Sequence, residues 1–283
     1  MARFRLAIEY VGTRYSGWQV QKNAPTVAGE IERAVREVSG RTDLALYGSG
    51  RTDAGVHALC QVAHLDLETR LPPESLRVSI NDRLPADIHL LEMSRVSRRF
   101  HARHDALARC YLYRISRRRT AFGKPFVYWV KDRLEVARMR AVAPLFVGLH
   151  DFRSFTDDDP ARTPTRVQID GLQVEEHRDL ILVRVTGSHF LWKMVRRLVG
   201  VLIEVGRGAL GASDVEGLLT GHSRLPARLT APPSGLFLER VLYEGDQPIE
   251  SGPDPLVDPE PVRLHHRSRR RRLVGRAGFP QRH

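Results

Sequence analysis

The sequence has few cysteines, and the two that it has lie far apart. Cys60 and Cys110 are the only cysteines among 283 residues, and they form no Cys-x-x-Cys pair. A structural zinc site or a disulfide framework needs more thiols at closer spacing. His101 and His104 lie three residues apart without a carboxylate or thiol at matching spacing, so we expect no metal site. This cysteine usage fits a reducing compartment, and we expect a cytoplasmic protein.

Long apolar runs are missing as well. No segment approaches the roughly 20 apolar residues that span a bilayer. The residues after Met1 alternate as a strand does and contain no apolar leader. We therefore expect neither a membrane span nor a signal peptide.

Lysine is scarce, although the chain is strongly basic. Lys+Arg number 45 against 33 Asp+Glu, which gives a formal net charge of +12. Only Lys22, Lys124, Lys131 and Lys193 are lysines. The planar guanidinium of arginine suits phosphates and base edges, so this balance favours a nucleic-acid-binding protein. Codon bias toward arginine is an alternative that explains the composition equally well.

Hydrophobic periodicity predicts an α+β fold built from two similar halves. Strand and helix patterns alternate in residues 1–106 and again in residues 107–245. We expect mixed, mainly antiparallel sheets with helices on one face and a catalytic cleft between the halves. The longest helix of the second half is predicted from about Phe190 to Glu204. Residues 246–283 are rich in proline and arginine without apolar periodicity, which predicts a disordered tail.

A glycine-rich loop follows a predicted strand at residues 44–47. In this loop Arg51 and Asp53 lie two residues apart among glycines. Glycines let the main chain approach a ligand and present both charged side chains to it. The loop is not a phosphate loop, because Gly50 is followed by Gly55 and no Gly-Lys-Ser/Thr is present. Taken alone, such a loop is more often an ordinary turn that its aspartate caps.

Residues 49–58, SGRTDAGVHA, resemble the signature of the tRNA pseudouridine synthase A family, in which the aspartate is catalytic. The resemblance extends over most of the chain up to about residue 245. Cys60 and Ala28 depart from it, since a glycine and a glutamine are expected at these positions. The further matching blocks are YVGTRYSGWQ at 10–19, FHAR at 100–103, RCYLY at 109–113, GLHDF at 148–152, Phe155, FLWKMVR at 190–196 and APPSGL at 231–236.

The resemblance implies a role for one residue in each of several blocks. Asp53 is expected to be the nucleophile, and Arg196 the counter-ion that keeps it ionised. Tyr111 is expected to stack on the target uracil, and Leu236 to pack over the uracil pocket. Arg51 is expected at the mouth of the cleft, where it helps to extrude the base or holds a flanking phosphate. Core packing is the alternative for Tyr111 and Leu236, and a phosphate-binding helix face is the alternative for Arg196.

The function that the resemblance implies is isomerisation of uridine to pseudouridine in tRNA. The family acts in the anticodon stem-loop, at about positions 38–40, on a base that must leave the helical stack. A homodimer is expected, with no cofactor or metal. Asp53 could attack the uracil ring, attack C1′ or abstract a sugar proton.

Two other functions remain as alternatives at the level of sequence. A noncatalytic RNA-binding module would be expected to lack Asp53, which is present. The other alternative is an enzyme of another class, such as a glycosylase that stops after bond cleavage or a nuclease, which usually needs clustered carboxylates for a divalent metal. The one dense acidic cluster lies at residues 157–159, and it is predicted to be a solvated loop.

Overall fold

The computed structural model of the protein describes residues 1–247 and 254–256. Most of the tail predicted for residues 246–283 lies outside the described residues. Asp254 falls within that predicted tail, yet it is fully buried and pairs with Arg114 at 2.7 Å. This short part of the tail therefore packs against the folded chain. Of the helices that the structure describes, none is long and apolar enough to cross a membrane.

One mixed sheet contains all ten strands of the described residues. The strands are β1 (Ala2–Tyr10), β2 (Ala45–Gly48), β3 (His57–Leu67), β4 (Ile88–Val96), β5 (Ala108–Ser116), β6 (Tyr128–Trp129), β7 (Gly148–Asp151), β8 (Arg166–His177), β9 (Leu180–Gly187) and β10 (Leu236–Leu242). Their order is β4-β1-β3-β10-β5-β9-β8-β7, with β2 paired to β3 and β6 paired to β5. The β3–β10 and β5–β6 pairs are parallel and the others recorded are antiparallel. The mainly antiparallel prediction is confirmed.

Six α-helices accompany the sheet in the described part of the chain. They are α1 (Val27–Ser39), α2 (Pro73–Asn81), α3 (Val136–Val142), α4 (Met194–Arg207), α5 (Ala212–Thr220) and α6 (Leu225–Arg228). The sequence sets both ends of α1. The Thr26 hydroxyl accepts a hydrogen bond from the Gly29 N–H at 3.3 Å, and Gly40 ends the helix in the left-handed conformation with φ of 65°.

Strand alternation separates a large core from a small apolar cluster. The large core joins side chains from all six helices to one face of the sheet, as Tyr111 and Tyr113 of β5 illustrate. The opposite face, called the back face below, carries the cluster Leu112, Leu182 and Phe237. The helices therefore cover one face, as the α+β prediction expects.

The predicted start of the longest helix is wrong. α4 begins at Met194, and the residues from Phe190 to Lys193 form an irregular turn. Lys193 adopts the left-handed conformation with φ of 58°. A right-handed α-helix needs a negative φ at every residue, so the helix cannot extend back through Lys193. Strands β6 and β7 and helix α6 were not predicted, although the equally short β2 was, because two to four residues carry only a weak periodicity.

Candidate active site

The glycine-rich loop lies at one edge of the sheet, next to the starts of β3 and β10. Residues 49–56 lead directly into β3, whose His57 is paired in parallel with Phe237 of β10. The end of β5 reaches the same edge, since Leu236 of β10 lies opposite Tyr113. The topology thus brings the loop, β5 and the segment before β10 together from distant parts of the chain.

The turn after β1 packs against the main chain of the glycine-rich loop. A Cβ atom on Gly12 would lie 1.9 Å from the Val56 carbonyl oxygen, and one on Gly17 would lie 2.5 Å from that of Thr52. The Trp18 N–H also donates to the Thr52 carbonyl at 3.1 Å. Because no side chain fits between the segments, these two glycines allow main chain to pack on main chain.

Arg109 holds the start of the loop, and reasoning from the sequence missed this role. Its Nη2 donates to the Ser49 carbonyl at 2.9 Å, and the residue is only 9% exposed. Burial lowers the pKa of its guanidinium. The residue lies in the matching block RCYLY, which was the only available signal. The other main-chain carbonyls that accept from it belong to Arg103, Ala106 and Ser188.

Asp53 and Arg196 come together, although 143 positions separate them. Arg196 Nη1 lies 3.4 Å from Asp53 Oδ2. Arg196 Nε donates to the Ala231 carbonyl at 2.7 Å, which orients the guanidinium from the first turn of α4. The side chains of Asp53 and Arg196 are 27% and 14% exposed. The Asp53 carboxylate therefore lies next to a fixed cation and is still partly exposed to solvent.

The two tyrosines of β5 differ in their surroundings. Tyr113 is fully buried, and its hydroxyl donates to the Pro232 carbonyl at 2.8 Å, so it belongs to the core. Tyr111 is 8% exposed, and the edge of its ring meets the Phe190 ring at 5.1 Å between centroids. Burial, with a smaller contribution from the Asp53 charge, raises the pKa of Tyr111 to about 12. Tyr111 is therefore the tyrosine that lies beside the carboxylate.

Leu236 and Arg51 occupy different environments. Leu236 is 5% exposed and lies opposite Tyr113, whereas Leu238 lies opposite Tyr111. The contact partner of Leu236 across the strands is thus the core tyrosine. Arg51 is exposed on the loop that carries Asp53. The substrate contacts of both residues stay predictions.

The acidic cluster at residues 157–159 lies in a loop, with Asp157 and Asp159 exposed as predicted, but two of its members also make structural contacts. Asp157 forms an ion pair with the buried Arg197, which lowers the pKa of the Asp157 carboxyl. Asp158 Oδ2 accepts from the Trp192 N–H at 3.2 Å. Both acids hold the segment that leads into α4. Within residues 1–247 and 254–256, no group of three or more His, Cys, Asp or Glu could hold a metal ion.

Comparison with known proteins agrees with this geometry. A sequence model of the family described as tRNA pseudouridine synthase matches residues 6–105 and 142–244. The tRNA pseudouridine synthase A of Nitrobacter winogradskyi is 40% identical over 253 residues, covering 88% of this chain and 98% of the relative. Those of Rhodopseudomonas palustris and Clostridium botulinum are 40% and 36% identical, covering 86% of this chain and all of each relative. The chain belongs to the tRNA pseudouridine synthase family.

Proposed function

We propose that the protein isomerises uridine to pseudouridine in the anticodon stem-loop of tRNA, at about positions 38–40, after the base leaves the stack. Membership of the family supports the reaction class. The observation that carries the proposal for this chain is the 3.4 Å contact between Arg196 and Asp53 beside the Tyr111 ring. Three segments distant in sequence converge there on one accessible carboxylate.

The substrate first has to present its base to this carboxylate. The net charge of +12 attracts the phosphate backbone, and contacts to phosphates and to the shape of the RNA position it without reading its sequence. Arg51 on the exposed side of the loop helps to extrude the uridine or holds a neighbouring phosphate. Tyr111 stacks on the uracil, and Leu236 contributes to the apolar side of the pocket.

Asp53 then acts on the flipped nucleotide. The glycosidic bond between N1 and C1′ breaks, the uracil rotates, and a bond forms between C5 and C1′. The C5 proton leaves and N1 gains a proton, so the overall change is an isomerisation. Asp53 attacks the uracil ring or C1′, or it abstracts a sugar proton, and Arg196 keeps the carboxylate in the ionised form that each route requires. The atom balance needs no redox cofactor and no metal.

The proposal extends to the organisation of the chain. Residues 1–106 carry the catalytic loop, residues 107–245 carry Tyr111 and Arg196, and the cleft lies between these halves. The protein acts in the cytoplasm as a homodimer in which one RNA contacts both subunits. Light scattering of the purified protein, alone and with tRNA, tests the dimer.

An isomerisation assay tests the proposed function. Purified protein is mixed with a folded anticodon stem-loop RNA that carries tritium at uridine C5, and release of tritium is followed. We expect release and an unbroken RNA strand, with activity that survives EDTA once the RNA is folded. Binding without release would favour a noncatalytic RNA-binding module, and strand cleavage that magnesium restores would favour a nuclease. Mapping of pseudouridines in host tRNAs with and without the gene then identifies the sites.

A further inference from the structure

An exposed tryptophan lies on the segment that joins two residues of the candidate site. Trp192 is 49% exposed. Two residues before it, the Phe190 ring meets the Tyr111 ring, and four residues after it, Arg196 contacts Asp53. Since both neighbours are anchored in the site, Trp192 must lie at its rim.

The indole is held in place from several sides. Lys193 Nζ lies 3.9 Å from the centre of the indole ring, so one face of the ring is covered by an ammonium group. The main-chain N–H of Trp192 donates to Asp158 Oδ2 at 3.2 Å, and Lys193 Nζ lies 3.8 Å from Asp157 Oδ2. Asp157 is itself paired with the buried Arg197. An exposed ring with a covered face and a fixed backbone presents its other face to solvent in a defined position.

The environment of Trp192 favours a nucleobase as the partner of that open face. Bases of every kind stack on aromatic rings, and unstacked bases of RNA loops are commonly bound in this way. The chain carries a net charge of +12, and the candidate site accepts a base that has left its stack. The nucleotides on either side of that base lose a stacking neighbour at the same moment, and the rim of the site is the place that they reach.

We propose that Trp192 is a stacking platform for the base of a nucleotide adjacent to the target uridine. Lys193, paired with Asp157, covers one face of the indole, and Asp158 fixes the main chain of Trp192. The platform compensates the adjacent base for the stacking that it loses when the uridine enters the site. This inference rests on the proposed function, because it needs an RNA whose target base is extruded.

Fluorescent RNA tests the platform directly. Two anticodon stem-loops carry 2-aminopurine, one immediately 5′ and one immediately 3′ of the target uridine, and each is titrated with wild type, Trp192→Ala, Trp192→Phe and Trp192→Leu. We expect wild type to quench at least one probe and Trp192→Phe to retain most of the quenching. Trp192→Ala and Trp192→Leu should lose it and bind about tenfold more weakly. The leucine variant keeps an apolar side chain without a ring, so it separates stacking from packing if the alanine variant is unstable.

Trp129 provides a matched control. It is 40% exposed and has the Arg119 guanidinium 5.7 Å from its ring centre, on β6. Trp129→Ala should quench and bind as wild type does. The proposal is overturned if folded Trp192→Ala or Trp192→Leu quenches both probes as wild type does, or if wild type quenches neither. If wild type quenches but releases no tritium from C5-labelled uridine, the proposed function fails while the platform stands.

Discussion

Two aspartate–arginine pairs join distant parts of the chain, and they are built differently. On the back face, the Asp254 carboxylate accepts from Arg114 Nη2 at 2.7 Å and from Nε at 3.1 Å, and the aspartate is fully buried. At the candidate active site, Arg196 and Asp53 meet at 3.4 Å, and the aspartate is 27% exposed. About the same number of residues separates the partners in each pair.

The difference shows what each pair can do. A buried carboxylate with two short bonds is fixed and shielded from substrate, and loss of its partner leaves a buried charge. A carboxylate with one longer contact to a cation and partial exposure remains open to a ligand. The back pair therefore stabilises the fold, and the site pair prepares a reactive group.

The largest expected change in stability belongs to the back face. Asp254→Asn leaves Arg114 buried without its counter-ion, so the free energy of unfolding should fall by about 3–5 kcal/mol. The turnover number of the folded variant should stay within twofold of wild type. Urea denaturation and the tritium-release assay measure the two quantities. Asp179→Asn is the control, because its pair with Arg118 is exposed and should matter by less than about 1 kcal/mol. A large loss of turnover in folded Asp254→Asn would contradict the assignment of a purely structural role to the Asp254–Arg114 pair.

The next effect concerns turnover at the site. Arg196→Gln removes the cation next to Asp53, and kcat should fall about 100-fold, which corresponds to about 2.7 kcal/mol of transition-state stabilisation. Stability should change less than in Asp254→Asn, because the pair is partly exposed. Single-turnover kinetics with saturating enzyme measure the chemical step. If Arg196→Gln instead bound RNA about 100-fold more weakly and kept the wild-type kcat, Arg196 would be a phosphate-binding residue.

A smaller effect is expected at the stacking residue. Tyr111→Phe keeps the ring and should retain most of kcat/KM, whereas Tyr111→Leu should lose about 1–3 kcal/mol of base stacking. Because the pKa of Tyr111 is raised to about 12, the phenol stays protonated, and Tyr111→Phe should leave the pH–rate profile unchanged up to pH 10. If the rate of wild type changed near pH 9–10 and that of Tyr111→Phe did not, the Tyr111 hydroxyl would have a chemical role.

A pH dependence of stability is expected at His57, the first residue of β3 after the glycine-rich loop. The Gly12 N–H donates to its Nδ1 at 3.1 Å, its Nε2 lies 3.0 Å from the Pro125 carbonyl, and its ring stacks on Phe237. Burial lowers the pKa of His57 to about 4. The unfolded chain therefore binds more protons between pH 4 and 6.5, so stability is complete above pH 6.5 and falls as pH drops. His57 should contribute about 1 kcal/mol per pH unit to the slope, in addition to the contribution of His64, whose pKa burial also lowers to about 4.

Denaturation at several pH values measures that slope in wild type and in His57→Gln. The glutamine variant should lack the contribution of His57 and show a flatter dependence between pH 6.5 and 4. Parallel curves for the two proteins would contradict the assignment to this histidine.

Patterns that are local in the chain were predictable. Alternation predicted most strands, and the spacing Val27, Ile31 and Val35 predicted the buried side of α1. The matching blocks led to Asp53, Tyr111 and Arg196, whose proximity the structure shows. That the three residues would meet could be expected only through the resemblance, because no local pattern indicates a contact across 143 positions.

Features that depend on contacts between distant segments were not predictable. Arg109 binds carbonyls of four separate residues, and a main-chain carbonyl has no sequence signature. The segment from Phe190 to Lys193 has helical spacing of apolar residues, but the contacts of Phe190 with Tyr111 and of Trp192 with Asp158 draw it out of the helix. No sequence pattern predicted that Asp158 would accept the hydrogen bond from the Trp192 main chain.

The most direct test of the account is the single-turnover rate of uridine isomerisation by Asp53→Asn. Asp66→Asn is its matched control, since Asp66 lies at the far end of β3 and is also paired with an arginine, Arg3, at similar exposure. We expect Asp53→Asn to bind the RNA and fold as wild type does, while its rate falls by at least about 1,000-fold. Asp66→Asn should keep the wild-type rate. An Asp53→Asn rate equal to that of wild type would contradict the assignment of Asp53 as the catalytic carboxylate.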